Sequence, residues 1–448
     1  MRPKVFRSIT SIAVLSPQLL LVSPAQAQGE RHEPPQYYVF NLGDPGGGNV
    51  AAAASINNLG WIAGDAYQSG NTNEHAELWV GAAFDLGTLG GPNSAVAWPN
   101  KNNRMQIAGI AETADTNPLN EAWSCAQANF PTITRHVCLG FAWEAGVMSP
   151  LSPLPGGIDS YAAGNNNRGQ VVGWAENGDH DPTCNNAPPV SQFLQFEAVV
   201  WEPHSRRMTA LSPLAPDPDS AATAINDKGQ IVGISGLCSN AVGGTSAEHA
   251  VLWENENAPP TNLGNFDGGQ AWNTPTAINN RGQVVGFGNQ AGSPPAAFNP
   301  IAFVWDKQHG IQPIAPIGDD TNSWAWGINK HGVVVGQSFG GADDPTGRAF
   351  LYEDGRITDL NTLIQPNSSI QLELANDIND EGEIVGFALD TSTKATVAFL
   401  AVPVAGGNMQ ATAAMRSGND SRSMVVPENL RRQMSGTFNR FVQAARPK

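Results

Sequence analysis

Ile225-Asn226-Asp227-Lys228-Gly229-Gln230-Ile231-Val232-Gly233 is one copy of a phrase that returns seven times along the chain, and its reading decides the fold. Ile56-Asn57-Asn58-Leu59-Gly60-Trp61-Ile62-Ala63-Gly64 is the first copy, and Ile278-Asn279-Asn280-Arg281-Gly282-Gln283-Val284-Val285-Gly286 is another clear one. The others lie around Asn102, Asn166, Asn329 and Asn379. Apolar residues on both sides of an Asn- and Gly-containing turn describe two strands joined by a tight hairpin. Gly supplies the positive φ that a short turn needs, and Asn can hydrogen-bond the backbone of its own turn.

Working outward, a second phrase follows, a small residue, two apolar residues and an aromatic. Examples are His75-Ala76-Glu77-Leu78-Trp79, Ala198-Val199-Val200-Trp201, His249-Ala250-Val251-Leu252-Trp253 and Ala302-Phe303-Val304-Trp305. This is a third strand, and a fourth ends in a stop such as Phe84-Asp85-Leu86-Gly87-Thr88-Leu89-Gly90-Gly91. Four short strands per unit, with the repeated asparagines 45 to 64 residues apart, suit a propeller blade and neither a helical solenoid nor a leucine-rich repeat. A linear β-solenoid is the structural rival. The seventh repeat lacks a fourth strand, while Val39-Phe40-Asn41-Leu42-Gly43-Asp44 near the N-terminus matches that phrase without a blade of its own. The expected fold is therefore all-β, a seven-bladed β-propeller of four-stranded blades over residues 28–404, its ring closed by the N-terminal strand so that no sheet edge is left unpaired.

These phrases resemble the HAF-repeat family of bacterial extracellular repeat proteins, with departures at Met105 in place of the turn glycine, Gly140 in place of the small Ala, and Asn165 in place of the Ile before Asn166. The resemblance implies an exported, propeller-like repeat protein and carries no activity with it.

Arg2, Lys4 and Arg7, an apolar stretch from Ile9 to Val22, and Ala25-Gln26-Ala27 read as a signal peptide over residues 1–27, placing the protein in the periplasm or outside the cell. That apolar run is interrupted by Pro17 and Gln18 and falls short of the roughly 20 residues of a transmembrane span. Four cysteines in an exported chain predict disulfides; the expected pairs are Cys125 with Cys138 and Cys184 with Cys238. Residues 405–448 change character, with seven Arg or Lys against Asp420 and Glu428. Leu430, Met434, Phe438 and Phe441 recur there at helical spacing, giving an amphipathic helix over 427–445 in an otherwise disordered tail.

Charged residues make up only 14% of the chain, with 48 Gly and 33 Pro, a composition of short strands and many turns. From Gly29 to Val404 there are 14 Lys and Arg against 38 Asp and Glu, a formal charge of −24. Such a field repels nucleic acid and anionic membranes and favours cations, basic proteins or neutral ligands.

The loops entering the innermost strands carry Asp44, Asp159, Asp217, Asp219, Asp267, Asp319 and Asp320, with Trp98, Tyr161, Trp272, Trp324 and Trp326 just after them. Acids beside aromatic faces suit sugar stacking or capture of a cation; the competing role is packing between blades for the aromatics and turn formation for the acids. No catalytic residue, cofactor or metal site stands out. Gly336-Gln337-Ser338-Phe339-Gly340 matches a nucleophile elbow but sits in a repeat strand, where the motif lacks its strand-to-helix turn. The histidines show no zinc-ligand spacing, and no phosphate loop is present. The leading expectation is a binding or interaction scaffold that holds a carbohydrate, a cation or another extracellular protein on its loop face. Second comes a carbohydrate-active enzyme, a glycoside hydrolase or lyase, using Asp159, Asp267, Asp319 or Asp320 with Trp272 and Trp324 as sugar platforms; third, a structural envelope protein. Facing carboxylates with perturbed acidity mark the enzyme, exposed aromatics the binder, and a plugged channel the structural role.

Overall fold

The computed structural model describes residues 34–404 except 206, 239–247, 267–272, 291–298 and 341–346. The expected signal peptide and basic tail, with its helix at 427–445, therefore lie outside the described residues, as do Asp267 and Trp272. The chain divides into Met1–Pro34 and Pro35–Lys448, and the second unit carries everything below.

The fold is all-β. Among the described residues the only helices are Trp123–Ala126 and a single 3-10 turn at Leu360–Thr362, and no helix is long and apolar enough to cross a membrane. Five separate four-stranded antiparallel sheets follow the second to sixth repeats in order, that of the third repeat running Gly156–Asn165, Val171–His180, Leu194–Glu202 and Arg207–Leu211. The strands of the first and seventh repeats share one larger sheet, linked by a single parallel bridge, Val50 to Thr396. Within it Tyr37–Asn41 pairs antiparallel with Ala395–Pro403, Val39 opposite Ala401, so the N-terminal segment supplies the fourth strand beside the last repeat.

The repeated phrase explains its own composition. Its final glycine, at Gly64, Gly109, Gly173, Gly233, Gly286, Gly336 and Gly386, lies so close to the inner strand that a Cβ would come within 1.8–2.3 Å of a carbonyl oxygen. Inner strands carry a bulge close to this contact, for instance between Ala222 and Ala224. In the turn, six copies place Gly at positive φ, and the second places Met105 there at φ 68°.

The asparagine does the most. Asn226 Oδ1 accepts the amides of Lys228 and Gln230 at 3.0 Å, fixing the turn, while its Nδ2 donates to the carbonyl of Asn279 in the next repeat at 2.9 Å. The same donation runs from Asn57 to Asn102, Asn102 to Asn166, Asn166 to Asn226, Asn279 to Asn329 and Asn329 to Asn379. Asn379 then donates to the carbonyl of Asn57 at 3.3 Å. All seven side chains are buried. A second contact joins the sheets further out: Ser94, Ser160, Ser220 and Ser323 each accept the amide of the small residue in the preceding third strand, Ala76, Gly140, Ala198 and Ala302, at 2.9–3.0 Å. A small residue there lets the neighbouring inner strand approach; at Gly140 a Cβ would meet the Ala162 amide nitrogen at 2.8 Å.

Asn226→Ala removes the turn acceptor and the inter-repeat donor together and leaves buried partners unpaired. The expected cost is about 2–4 kcal/mol, summed from about 1 kcal/mol per bond and the penalty for unsatisfied buried groups, read from the urea midpoint. A loss below about 0.5 kcal/mol would mean that these bonds do not hold the sheets together.

Candidate functional site

The aromatics singled out by sequence turn inward. Tyr161 is fully buried and stacks on Trp174 at 4.1 Å. Trp98, 7% exposed, meets Trp326 at 5.5 Å although they belong to the second and sixth repeats. Trp326 in turn lies 6.4 Å from Trp324, which packs edge-on against Phe339 at 4.9 Å. Beside them Lys101 of the second repeat pairs with the buried carboxylate of Asp377 in the seventh. Inner-strand residues of distant repeats thus fill the space between them.

The acids also have structural partners. Asp320 accepts Ser338 Oγ at 2.7 Å and pairs with Arg348 at 3.0 Å. Asp217 does the same with Ser235 Oγ and His249 Nδ1 at 2.7 and 2.8 Å. Ser338 is therefore a buried strand residue tied to Asp320, which disposes of the nucleophile-elbow match. Asp319 is exposed at the surface, and Asp44 is half-buried. Asp159 and Asp219 sit where the second repeat has Asn93. Asn93 accepts the amide of Glu74, Asp159 that of Cys138, and Asp219 that of Phe196, each at 2.9–3.0 Å across the sheet boundary.

What sequence reasoning missed is a set of buried carboxyl groups that meet across strands and loops. In the first repeat, Asp65 follows the strand glycine at a position occupied elsewhere by Ile110, Trp174, Ile234, Phe287, Gln337 and Phe387. At the Glu74 position the other repeats carry Cys138, Phe196, Glu248, Pro300, Gly347 and Thr396. An acid at the mostly apolar Asp65 position was the available signal. The two carboxyls lie close enough for the charge of one to act on the other. Burial pushes Asp65 up to about 7. Glu74 is raised further, by burial and then by the Asp65 charge, so the pair retains a proton at neutral pH. Nearby Glu77 is pushed up to about 8 by burial and the charges of Asp85, Asp44 and Asp65. The Tyr161 hydroxyl, raised first by burial, also feels Asp65 and Glu74 and has Trp98 beside it. Asp65 is the partly exposed member of the pair. A carboxyl pair sharing a proton near neutrality can serve as general acid and general base.

Two further groups lie in the second to fourth repeats. Asp219, pushed up to about 9 by burial and by the neighbouring Asp181 carboxyl, keeps the proton of that pair. Asp181, against the opposing effect of burial, is held low by the Asp219 carboxyl beside it and by the Thr183 amide. Glu121, Asp159 and Glu176 are each completely buried, with one oxygen from each lying within 4.8 Å of the others. Burial and then the Glu176 charge raise Asp159, and burial and then the Glu121 charge push Glu176 up to about 8. The expected disulfides, Cys125–Cys138 and Cys184–Cys238, both form around these loops, with Cys138 inside the third strand itself rather than in the insertion.

No protein-family model matches the chain and no curated protein matches it. It is similar in trace to solved structures at very low identity. One is an oligogalacturonate lyase in complex with manganese, 9% identical over 82% of this chain and 93% of that one, TM-score 0.45. Another is an oligogalacturonate lyase of Vibrio parahaemolyticus, 8% identical over 81% and 93%, TM-score 0.43. A puromycin hydrolase is 13% identical over 78% and 53%, TM-score 0.41.

The expectation of a non-catalytic binding scaffold is corrected. The exposed aromatic platforms on which that expectation rested are absent at the described positions: Trp98 and Tyr161 are buried and Trp324 and Trp326 half-buried against neighbouring rings. Perturbed, facing carboxyls, the mark of the enzyme alternative, are what the chain has instead.

A carboxyl raised on folding binds its proton more tightly in the folded chain, so its stabilisation is complete below the unfolded value near 4 and is lost as pH rises through the folded value. For Asp219 that upper limit is about 9. Asp219→Asn keeps the inter-sheet acceptor, as Asn93 does, and offers Asp181 an amide donor that needs no proton. The wild-type denaturant midpoint is expected to fall between about pH 5 and about pH 10 and that of the variant to fall less. Equal slopes would exclude Asp219 as the source.

Proposed function

We propose that the chain is a carbohydrate-active enzyme, a glycoside hydrolase or lyase, with Asp65 and Glu74 as its acid–base pair. The single observation that carries this reading is the pair itself, two acids meeting across adjacent antiparallel strands, one of them partly open to solvent and poised near neutrality. Trp324 and Trp326, half-buried on an inner strand of the sixth repeat, are the aromatic faces left partly open for a sugar ring to pack against. Protonated Glu74 would give its proton to the leaving oxygen, and the Asp65 carboxylate would take one from water, or from carbon in an elimination. The formal charge of −24 over residues 29–404 favours a neutral or amino-sugar glycan over a polyuronate, which puts hydrolysis ahead of elimination.

In this reading the sheets form one seven-bladed propeller closed by the strand Tyr37–Asn41. The asparagine donations that return from Asn379 to Asn57 and the pairing of Tyr37–Asn41 with Ala395–Pro403 support it. Membership of the HAF-type repeat proteins and export across the inner membrane belong to the same proposal, supported by the recurring phrases and by two disulfides, which persist in oxidising compartments.

The test is a screen of the purified protein against neutral, amino-sugar and uronate polysaccharides, following reducing ends and, separately, the ultraviolet absorbance of unsaturated products. Reducing ends without absorbance are expected, with Asp65→Asn and Glu74→Gln each about 10²–10⁴-fold slower. Variants as active as wild type, or no product from any glycan, would overturn the proposal.

A further inference from the structure

We propose that Glu121, Asp159 and Glu176 form a binding site for one calcium ion that ties the loop insertions of the second and third repeats to the sheet of the third repeat. The three residues come from separate segments: Glu121 from the insertion after Gln106–Thr116, Asp159 from the inner strand Gly156–Asn165, and Glu176 from Val171–His180. Each carboxylate is anchored by donors that fix its orientation. Glu121 Oε1 accepts the amides of Phe193 and Leu194 at 2.7 and 2.9 Å. Asp159 accepts the Cys138 amide at 3.0 Å and Asn117 Nδ2 at 3.1 Å. Glu176 Oε2 accepts the amides of Ile158 and Asp159 at 3.2 and 2.8 Å.

Those bonds leave three acidic groups facing one another in a site with no exposed surface. Among the described residues no Lys, Arg or His forms an ion pair with any of them. Burying unpaired carboxylates is costly. Two completely or almost completely buried oxygens at the site also lack a hydrogen-bond partner. One is Glu121 Oε2; the other is Oε1 of Gln192, whose amide nitrogen sits on Glu176 Oε1 at 2.7 Å. Gln192 is not an acid, so its orphaned carbonyl is a separate sign of an absent electropositive partner, and rotation of that amide turns a neutral oxygen toward the group.

Oxygens on opposite sides of a calcium ion at about 2.3–2.6 Å are separated by roughly twice that distance, which accommodates ligand atoms lying within 4.8 Å of one another. An all-oxygen set with three carboxylates selects a hard cation rather than zinc or copper, and magnesium, which keeps several of its waters, suits a closed site less well. Two other groupings fail this test. Glu112 lies beside Cys125 and Cys138, which are joined as a disulfide, and Asp217 with His249 reproduces the contact of an aspartate with a serine and a basic side chain seen again at Asp320.

The loops explain what the ion would do. Ala122 donates to the Ser191 carbonyl and Ser191 Oγ to the Asn120 carbonyl, so the two insertions already touch, and Glu121 reaches from one to the amides of the other. A cation that binds only the folded arrangement stabilises it by mass action.

The test uses the whole chain stripped of metal, titrated calorimetrically with calcium, magnesium or manganese chloride and melted with and without chelator. One calcium per chain and a melting temperature several degrees higher with calcium are expected, with magnesium weaker. Asp159→Asn preserves the inter-sheet acceptor that Asn93 provides in the second repeat, so it should fold, lose at least tenfold in calcium affinity, and melt alike with and without chelator; Glu121→Gln serves as the second variant. No calcium binding by wild type, unchanged binding in both variants, or a preference for manganese or magnesium over calcium would overturn the assignment.

Discussion

One carboxamide per repeat carries the architecture. An asparagine side chain has an acceptor and a donor on the same plane. Here the acceptor closes the turn on which the side chain sits, and the donor reaches the carbonyl of the next asparagine. Local turn geometry and repeat-to-repeat spacing are therefore set by one group. Aspartate lacks the donor, serine is too short to span both partners, and glutamine carries its amide a methylene too far out. The demand for both functions in one short side chain accounts for an asparagine surviving in all seven phrases, even where the flanking residues have changed to Lys101, Met105 or Asn165.

A second layer of the fold tolerates variation, and that tolerance creates the acidic sites. The position that accepts the third-strand amide of the previous repeat works equally well as Asn93, Asp159 or Asp219, because only one side-chain oxygen is needed. Aspartate there leaves its second oxygen available, and in both cases a further acid is found beside it: Glu176 and Glu121 near Asp159, Asp181 near Asp219. Building acids onto a structural position costs little in geometry and much in electrostatics, which is why Asp159, Glu176 and Asp219 are held above the usual carboxylate range.

The strands, the turn glycines and both disulfides were legible because each depends on residues close in sequence or repeated at equivalent places. Met105 could be read as an irregular turn from the repeat alone and does adopt positive φ. The candidate site was not legible, for two physical reasons. Asp159, Trp98 and Tyr161 follow the loops expected to carry ligands, but the inner strands point them into the space between sheets, where neighbours from repeats as distant as the sixth cover them. Asp65 and Glu74 come together only because antiparallel pairing of Ile62–Gln68 with Glu74–Trp79 sets Tyr67 opposite Glu74 and Asp65 opposite Ala76; nothing in either short segment read alone marks it as a site. Alignment of the repeats against each other marks Asp65, since six other copies show what that position ordinarily holds.

The departures cluster. Met105, Gly140, Asn165, Lys101, the acid pair of the first repeat and the triad of Glu121, Asp159 and Glu176 all fall in the first three repeats, as does the Cys125–Cys138 loop. In the fifth and sixth repeats the packing between sheets is built from Ile278, Val284, Phe303, Val334 and Phe350. Repeats constrained only by packing converge on the same residues, and local rules are broken where something other than packing is being held in place. The regular repeats thus act as the frame, and the irregular ones, braced by disulfides and by carboxylates fixed to backbone amides, are the part of the molecule where chemistry has displaced packing.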